Sequence, residues 1–308
     1  MSALADLGRR RPRLKTLMPW AALIVIGTAW GLSSLFAKIG MTGGFHALGA
    51  AAWQAVIGAC VAVAALRLTR RRLPLSRAHC AFYLVCGILG TALPATLSFE
   101  SIRHLSVGIQ TIVIATVPML TVALALPLGL ERAEPKRLAG VVLGFAAMVL
   151  LVWPQAALPG WGQAFWMLLP LISALCYAGE NVVIASWRLS GVGPLEAGCG
   201  LLLAATFLLL PPALMMGVIP FPGAADPWAE LALVATALFN IGAYLGYVWL
   251  IGRGGPVFTS QIGYVVTLTG VLSGILVLGE SHDWTVWLAL GILFAGIALV
   301  SPRPVIRN

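Results

Sequence analysis

Charged side chains are scarce in this sequence of 308 residues. Only 9% of the residues are Asp, Glu, Lys or Arg, whereas 60% are hydrophobic, and the mean hydropathy is +0.97. A soluble globular domain has about a quarter of its residues charged. The composition therefore excludes an ordinary soluble domain and predicts an integral membrane protein.

Cysteine is sparse, and its number is odd. The five cysteines lack the paired spacing of metal sites, and we interpret them as small apolar residues rather than as disulfide partners. They are Cys60, Cys80, Cys86, Cys176 and Cys199. The four histidines fall at the ends of apolar runs, which argues against a metal site or a proton relay. We expect no metal and no cofactor.

The motifs of intramembrane hydrolases and of ATPases are missing from the sequence. It contains no His-Glu-x-x-His, no Gly-x-Ser-x-Gly and no pair of aspartates within an apolar run. It also contains no Gly-x4-Gly-Lys-Ser/Thr loop for binding nucleotide phosphates. The chain is therefore predicted not to be an enzyme and not to hydrolyse ATP.

Long apolar runs, in contrast, occupy most of the chain. A helix that crosses a bilayer needs about 20 mostly apolar residues. Ten such runs are predicted, at 18–38, 45–66, 79–98, 106–129, 137–154, 163–186, 196–217, 229–250, 256–278 and 284–301. The predicted fold class is an all-α integral membrane protein with ten transmembrane helices. The first helix follows a basic segment but no small-residue cleavage site, so we expect it to be retained.

The basic residues are distributed unevenly about these helices. If the N-terminus is cytoplasmic, seventeen of the 19 Lys and Arg residues fall on the cytoplasmic side, and only Lys38 and Arg103 fall outside. The positive-inside rule therefore predicts that both termini are cytoplasmic. The net charge of +9 is expected to face anionic lipid rather than nucleic acid.

The two halves of the chain resemble each other weakly. Segments 116–154 and 265–302 superpose at an offset of 149, which places Glu131 on Glu280 and Leu150 on Leu299. Five crossings are an odd number, so a second copy of five helices must be inverted relative to the first, as in many secondary transporters. The predicted organisation is a tail (1–17), two inverted five-helix repeats (18–155 and 156–302) and a second tail (303–308).

Two sequence patterns carry a family resemblance. "AWGLSSLFAK" at 29–38 is similar to a first-helix Trp-Gly…Lys pattern, and Pro118…Glu131 is similar to a Pro…Glu pattern, although Leu130 replaces the usual Gly and Thr267 replaces the second-half Pro. The chain resembles the drug/metabolite transporter superfamily in its ten-helix EamA-type form. This resemblance implies carriage of small metabolites, commonly by export. We take the bacterial amino-acid exporters of the YddG type as the first branch for comparison.

Polar residues within the predicted helices define a candidate substrate site. Trp30, Ser34 and Lys38 recur every four residues on one face of the first helix, and Ser173, Tyr177 and Asn181 do so on the sixth. Further polar residues lie on the third, fourth, eighth and ninth helices. The predicted substrate-binding residues are Trp30, Ser34, Ser98, Gln110, Tyr177, Glu180, Asn181, Asn240, Tyr244, Gln261 and Tyr264.

Each of these assignments has a structural alternative. Hydroxyl side chains in membrane helices often bond their own helix, and amides such as Asn240, Gln110 and Gln261 can bond neighbouring helices. The deep aromatic residues can serve helix packing, and Trp residues near helix ends are typical interfacial anchors. Lys38 can extend towards the interface or contact a substrate carboxylate. Glu131 and Glu280 are expected to cap or orient turns.

Glu180 is the acidic residue predicted to lie deepest. It lies seven residues inside the end of its helix, or about 10 Å deep. A carboxylate facing lipid there would cost on the order of 2–4 kcal/mol, so it should face a wet cavity, pair with another group or be protonated. The interpretations are contact with a substrate ammonium, proton coupling, or a fixed bond between helices.

The sequence thus predicts a secondary carrier of the bacterial inner membrane. It would export small metabolites, best amino acids including aromatic and hydrophobic ones, by alternating access. The alternative is a proton-coupled efflux carrier for drugs or cations, although the first helix lacks the acidic residue of the four-helix multidrug relatives. The expected partners are a small-molecule substrate and the lipid bilayer, with no nucleic acid and a single chain as the working unit. Substrate identity, direction and coupling ion stay open.

Overall fold

The computed structural model describes residues 11–130, 134–156, 162–187, 189, 192–219, 226–259 and 262–300. All regular structure in these ranges is helical, and it forms ten successive helices. They are α1 (Arg11–Thr42), α2 (Ala47–Leu68), α3 (Arg77–His104), α4 (Val107–Ala125), α5 (Pro135–Ala156), α6 (Gly162–Ser186), α7 (Pro194–Met215), α8 (Pro227–Thr259), α9 (Ile262–Leu278) and α10 (Trp284–Val300). The predicted fold class is confirmed.

The hydropathy of these helices fits a bilayer. Seven contain apolar stretches of at least 18 residues, and shorter apolar stretches lie in α5, α9 and α10. One predicted boundary is wrong, because 256–259 belong to the end of α8 and not to α9. Apolar residues flank Arg253 on both sides, so hydropathy does not mark where α8 ends.

Proline makes α3 and α4 irregular. In α3, a π-helical turn at Ile88–Ala92 precedes Pro94, and the Leu93 N–H bonds the carbonyl of Ile88 five residues back. In α4, the helix is interrupted between Ile114 and Val117, just before Pro118. Because proline has no N–H to donate, it disrupts the helical hydrogen-bond pattern of the preceding turn. Helix α6, in contrast, continues through Pro170.

The largest contacts between the two halves come in matched pairs. Helix α1 packs against α8 and α9, and its counterpart α6 packs against α3 and α4. Helix α2 packs against α8, and its counterpart α7 packs against α3. Three further contacts join helices that hold the same position in the two halves, namely α2–α7, α4–α9 and α5–α10. This exchange pattern, with five crossings in each half, is that of two inverted five-helix repeats.

Two glycines bring α1 close to α9. A Cβ at Gly27 would lie 2.5 Å from the Cβ of Val265, and a Cβ at Gly31 would lie 2.5 Å from the Cβ of Thr269. The Gly-x-x-x-Gly spacing places both glycines on one face of α1, where small residues let membrane helices approach closely. The opposite side of α1 packs against α8, so α1 is held between two helices of the second half.

Candidate functional site

A chain of side-chain hydrogen bonds joins three helices near the centre of the bundle. The Tyr247 hydroxyl of α8 donates to Oδ1 of Asn181 on α6 at 3.2 Å. The Asn181 amide donates to Oγ1 of Thr121 on α4, also at 3.2 Å. Because Thr121 lies in the first half and the other two residues in the second, this chain crosses the boundary between the repeats.

Helix α1 contributes an aromatic residue to the same region. The Trp30 indole N–H donates to Oδ1 of Asn240 at 3.4 Å. Its ring lies 5.4 Å from that of Tyr247, measured between centroids, and the rings of Tyr244 and Tyr247 are 6.4 Å apart. We call the set Trp30, Tyr177, Glu180, Asn181, Asn240, Tyr244 and Tyr247 the central cluster.

Glu180 is the acidic member of the central cluster. It is only 7% exposed, and its Oε1 has no hydrogen-bond partner among the described residues. Its carboxyl lies within electrostatic range of three tyrosines and one thiol, namely Tyr177, Tyr244, Tyr247 and Cys86. No ion pair of Glu180 is formed within the described ranges. Its charged form therefore needs a positive partner from elsewhere.

The Glu180 carboxyl lies directly against the π-helical turn of α3. A Cβ added to Gly90 would overlap the carboxyl, so the glycine provides the space that the acid occupies. The neighbouring Gly179 of α6 faces Leu89 of the same turn, with 3.6 Å between a Cβ built at Gly179 and Leu89 Cδ1. The irregular segment of α3 is thus part of the surroundings of Glu180.

Most members of the predicted binding set are brought together here. Helices α1, α6 and α8 supply Trp30, Tyr177, Glu180, Asn181, Asn240 and Tyr244. Ser34 lies one turn from Trp30 and is half-buried, with its hydroxyl 3.5 Å from the Trp30 carbonyl. That these residues bind a substrate stays a prediction.

Ser98 and Gln110 belong to a different network. The Ser98 hydroxyl donates to that of Ser173 at 3.3 Å, and the Gln110 amide donates to the Ser98 carbonyl at 2.9 Å and to Ser101 Oγ at 3.2 Å. Gln110 is only 4% exposed. These contacts link α3 with α4 and α6, which is the helix-linking role given as the alternative, so we leave both residues out of the central cluster.

Tyr264 also lies away from the central cluster. Its hydroxyl donates to the Phe294 carbonyl at 3.3 Å, and the two rings are 5.1 Å apart, so the side chain packs against α10. The remaining predicted residue, Gln261, lies outside the described residues. Sequence reasoning did not select Thr121, Tyr247 and Gly90 for the site. Tyr247 shares a helical face with Asn240 and Tyr244, but no local signal marks the other two.

Two charged residues cap helix ends where α3 is followed by α4. The Glu280 carboxylate accepts hydrogen bonds from the N–H groups of Val107 and Gly108, at 2.7 and 3.3 Å, at the start of α4. The predicted structural role of Glu280 is confirmed, while Glu131 lies outside the described residues. Lys38 donates to the carbonyls of Ile102 and Leu105 at 2.6 and 2.8 Å. The Lys38 ammonium is therefore bonded to the end of α3, and its contact with a substrate carboxylate stays a prediction.

The Glu280 carboxylate is electrostatically favoured in this position. Burial alone would raise the pKa of Glu280, but the His282 ring, 3.6 Å away, and the N–H groups of Val107 and Gly108 outweigh that effect. The pKa of Glu280 is consequently below its ordinary value, so the carboxylate stays charged at neutral pH. Among the described residues, no three His, Cys, Asp or Glu side chains are grouped as metal ligands.

Comparisons with known proteins agree with this architecture. The family model described as the EamA-like transporter family matches residues 18–153 and 164–301. A protein named uncharacterized inner membrane transporter YedA, from Escherichia coli K12, is 26% identical over 293 residues, which cover 94% of this chain and 92% of the relative. Its namesake from Escherichia coli O157:H7 matches equally. A solved structure, described only as a crystal structure of a protein, has a TM-score of 0.64 at 20% identity and covers 91% of this chain and 96% of its own.

Proposed function

The chain belongs to the EamA-like transporter family, and from that premise we propose that it exports amino acids, including aromatic and hydrophobic ones, by alternating access. Membrane transport of small molecules is the activity of the family. The observation that carries the finer proposal is Glu180, a buried carboxyl with an unpartnered oxygen that lies against α3 of the other repeat and within electrostatic range of three tyrosines. Secondary transporters built from inverted repeats commonly bind their substrates at this interface.

The chemistry of the central cluster suits a zwitterion with an apolar part. The Glu180 carboxylate would bind the substrate ammonium, because a buried carboxylate is stabilised by a paired positive charge. The faces of Trp30, Tyr244 and Tyr247 would contact an apolar or aromatic side chain. Asn240 bonds Trp30 through Oδ1, which leaves its amide N–H groups to donate to a substrate carboxylate.

The setting of this activity is also part of the proposal. Both termini would be cytoplasmic, which is supported by the excess of Lys and Arg in the corresponding loops and tails. The membrane would be a bacterial inner membrane, as the name of the YedA relative says of that protein. A single chain would be the working unit.

Flux into proteoliposomes tests the proposal. Labelled amino acids and cationic dyes are screened with and without a pH gradient, for the wild type, for Glu180→Gln and for Asp283→Asn, an exposed acidic residue outside the central cluster. We expect an amino acid to move down its own gradient and Glu180→Gln to abolish this movement at every pH, while Asp283→Asn transports normally. Unchanged transport by Glu180→Gln would make Glu180 a packing residue and refute the assigned role.

A proton-coupled efflux carrier for cations is the second candidate. It is favoured by the same observation, since a buried carboxyl without a described ion-pair partner can exchange a proton for a cationic solute. In that case dye flux follows the pH gradient, and Glu180→Gln loses only this dependence. The two candidates therefore differ in what the substitution removes.

A further inference from the structure

The π-helical turn of α3 presents backbone carbonyls that lack helical donors. The Leu93 N–H bonds the carbonyl of Ile88, and Pro94 has no N–H to offer. The Leu89 carbonyl therefore lacks a helical donor, because the N–H of Leu93 is bonded to Ile88 and Pro94 has none. The Gly90 carbonyl lacks its usual donor, because the residue four positions later is Pro94. Leu89 and Gly90 are half-buried residues of this turn.

These carbonyls belong to the turn against which the Glu180 carboxyl lies. Oε1 of Glu180 is buried and also lacks a hydrogen-bond donor within the described structure. Unpaired acceptors in one low-dielectric region are unfavourable unless a group that only donates lies among them. A primary ammonium is such a group, since it carries three N–H donors and a positive charge.

We propose that Glu180 and the Leu89–Gly90 backbone form a subsite for the primary ammonium group of the carried solute. The subsite rests on the proposed function and adds a selectivity to it. The transporter accepts primary amines and rejects their quaternary analogues, because a trimethylammonium has no N–H to give to the carboxylate or to the carbonyls.

Gly90 is the residue that determines this selectivity. Its missing side chain lets the Glu180 carboxyl lie against the turn, and any Cβ at this position would displace the carboxyl. Gly242 of α8 is a matched control, because a Cβ there would meet no atom within 4 Å. Both substitutions to alanine change a helical glycine by one methyl group, so their difference reports on the contact with Glu180.

Two other ligand chemistries make opposite demands on the site. An aromatic cage formed by Trp30, Tyr244 and Tyr247 would bind a quaternary ammonium as well as a primary one, through cation–π attraction. A bare Na⁺ would use the same oxygen atoms and would need no organic group. The experiment below separates the primary ammonium from both.

The test is ligand binding to the purified full-length protein, by calorimetry, with phenylethylamine and its N,N,N-trimethyl derivative. We expect the primary amine to bind about tenfold tighter or more. Gly90→Ala and Glu180→Gln should remove the difference, whereas Gly242→Ala should keep it. Glu180→Asp, which withdraws the charge from the turn, should also remove it, and this variant serves if Gly90→Ala does not fold.

Three results would overturn the subsite. The first is equal or tighter binding of the trimethyl compound, and the second is a preference for the primary amine that survives in both Gly90→Ala and Glu180→Asp. The third is displacement of phenylethylamine by NaCl but not by choline chloride. Flux of labelled phenylalanine is measured in parallel. Selective binding without flux would refute amino-acid export and keep the subsite, whereas flux with unselective binding would refute the subsite alone.

Discussion

The hydroxyl of Tyr247 donates to the Asn181 side chain at 3.2 Å, and Asn181 in turn donates to Thr121 at the same distance. One asparagine thus joins α8 and α6 of the second repeat to α4 of the first. A movement of one repeat relative to the other must change these two hydrogen bonds. They therefore connect the geometry of the central cluster to the relative position of the two halves.

Tyr247 and Asn181 should show energetic coupling. We expect Tyr247→Phe and Asn181→Ala each to lower the free energy of unfolding by about 1 kcal/mol. The loss in the double variant should be smaller than the sum of the two by about 0.5–1 kcal/mol, as is typical of hydrogen bonds between membrane helices. Unfolding of the single and double variants in mixed detergent measures this coupling. Tyr264→Phe combined with Asn181→Ala is the control and should be additive, because Tyr264 packs against α10. Full additivity of the first pair would show that its bond contributes nothing.

Asn240→Leu should impair transport while leaving the fold nearly intact. The substitution removes the acceptor of the Trp30 indole and the amide donors proposed for the substrate carboxylate. We expect flux in proteoliposomes to fall about tenfold or more, since a lost polar contact to a charged group costs about 1.5–3 kcal/mol. Leu238→Ala, at an exposed site on α8, is the control for expression and folding. Normal flux with leucine at position 240 would remove α8 from the substrate site.

Glu280→Gln should destabilise the protein, and more so at neutral than at acidic pH. The substitution removes a charge that caps the start of α4, a loss of about 1–2 kcal/mol. The folded-state pKa of Glu280 is lowered, so its contribution is complete above the unfolded-state pKa and is lost as the pH falls through the folded-state value. The melting temperatures of the wild type and of the variant should therefore become more alike as the pH is lowered. A constant difference for Glu280→Gln at all pH values would contradict the capping charge.

Gly31→Val should disrupt the packing of α1 against α9. A Cβ at position 31 would lie 2.5 Å from the Cβ of Thr269 and 2.9 Å from the Val266 carbonyl oxygen, and the backbone atom cannot move aside without moving α9. Overpacking of this kind costs about 1–3 kcal/mol. A lower melting temperature in detergent, with Gly242→Ala unaffected, is the expected result. Equal stability of the two variants would show that the close approach of α1 and α9 is not required.

Helical periodicity explains how much of the site could be predicted. Trp30, Tyr177, Asn181, Asn240 and Tyr244 were selected because they recur on single helical faces, and those faces meet in the structure. The ten helices were predictable for a related reason, since the bilayer sets their length and hydropathy.

Other assignments depended on which helix each face meets. Tyr264 is as polar as Tyr244, yet its face of α9 is turned to α10, and hydropathy does not reveal this orientation. Lys38 was ambiguous because its partners are backbone carbonyls of α3, which are invisible in a pattern of side chains. Gly90 gave no signal, because its importance comes entirely from the acid that lies against it.

The cap on α4 has a consequence for biosynthesis. Val107 and the glutamate that accepts its N–H are separated by 173 positions, so α4 is made long before Glu280 leaves the ribosome. Until the last two helices arrive, the first turn of α4 lacks this acceptor. A fragment that ends after the fifth helix is therefore expected to enter the membrane without completing its final structure. This fragment and a second one that carries the last five helices should regain transport only when the two are produced together in one cell.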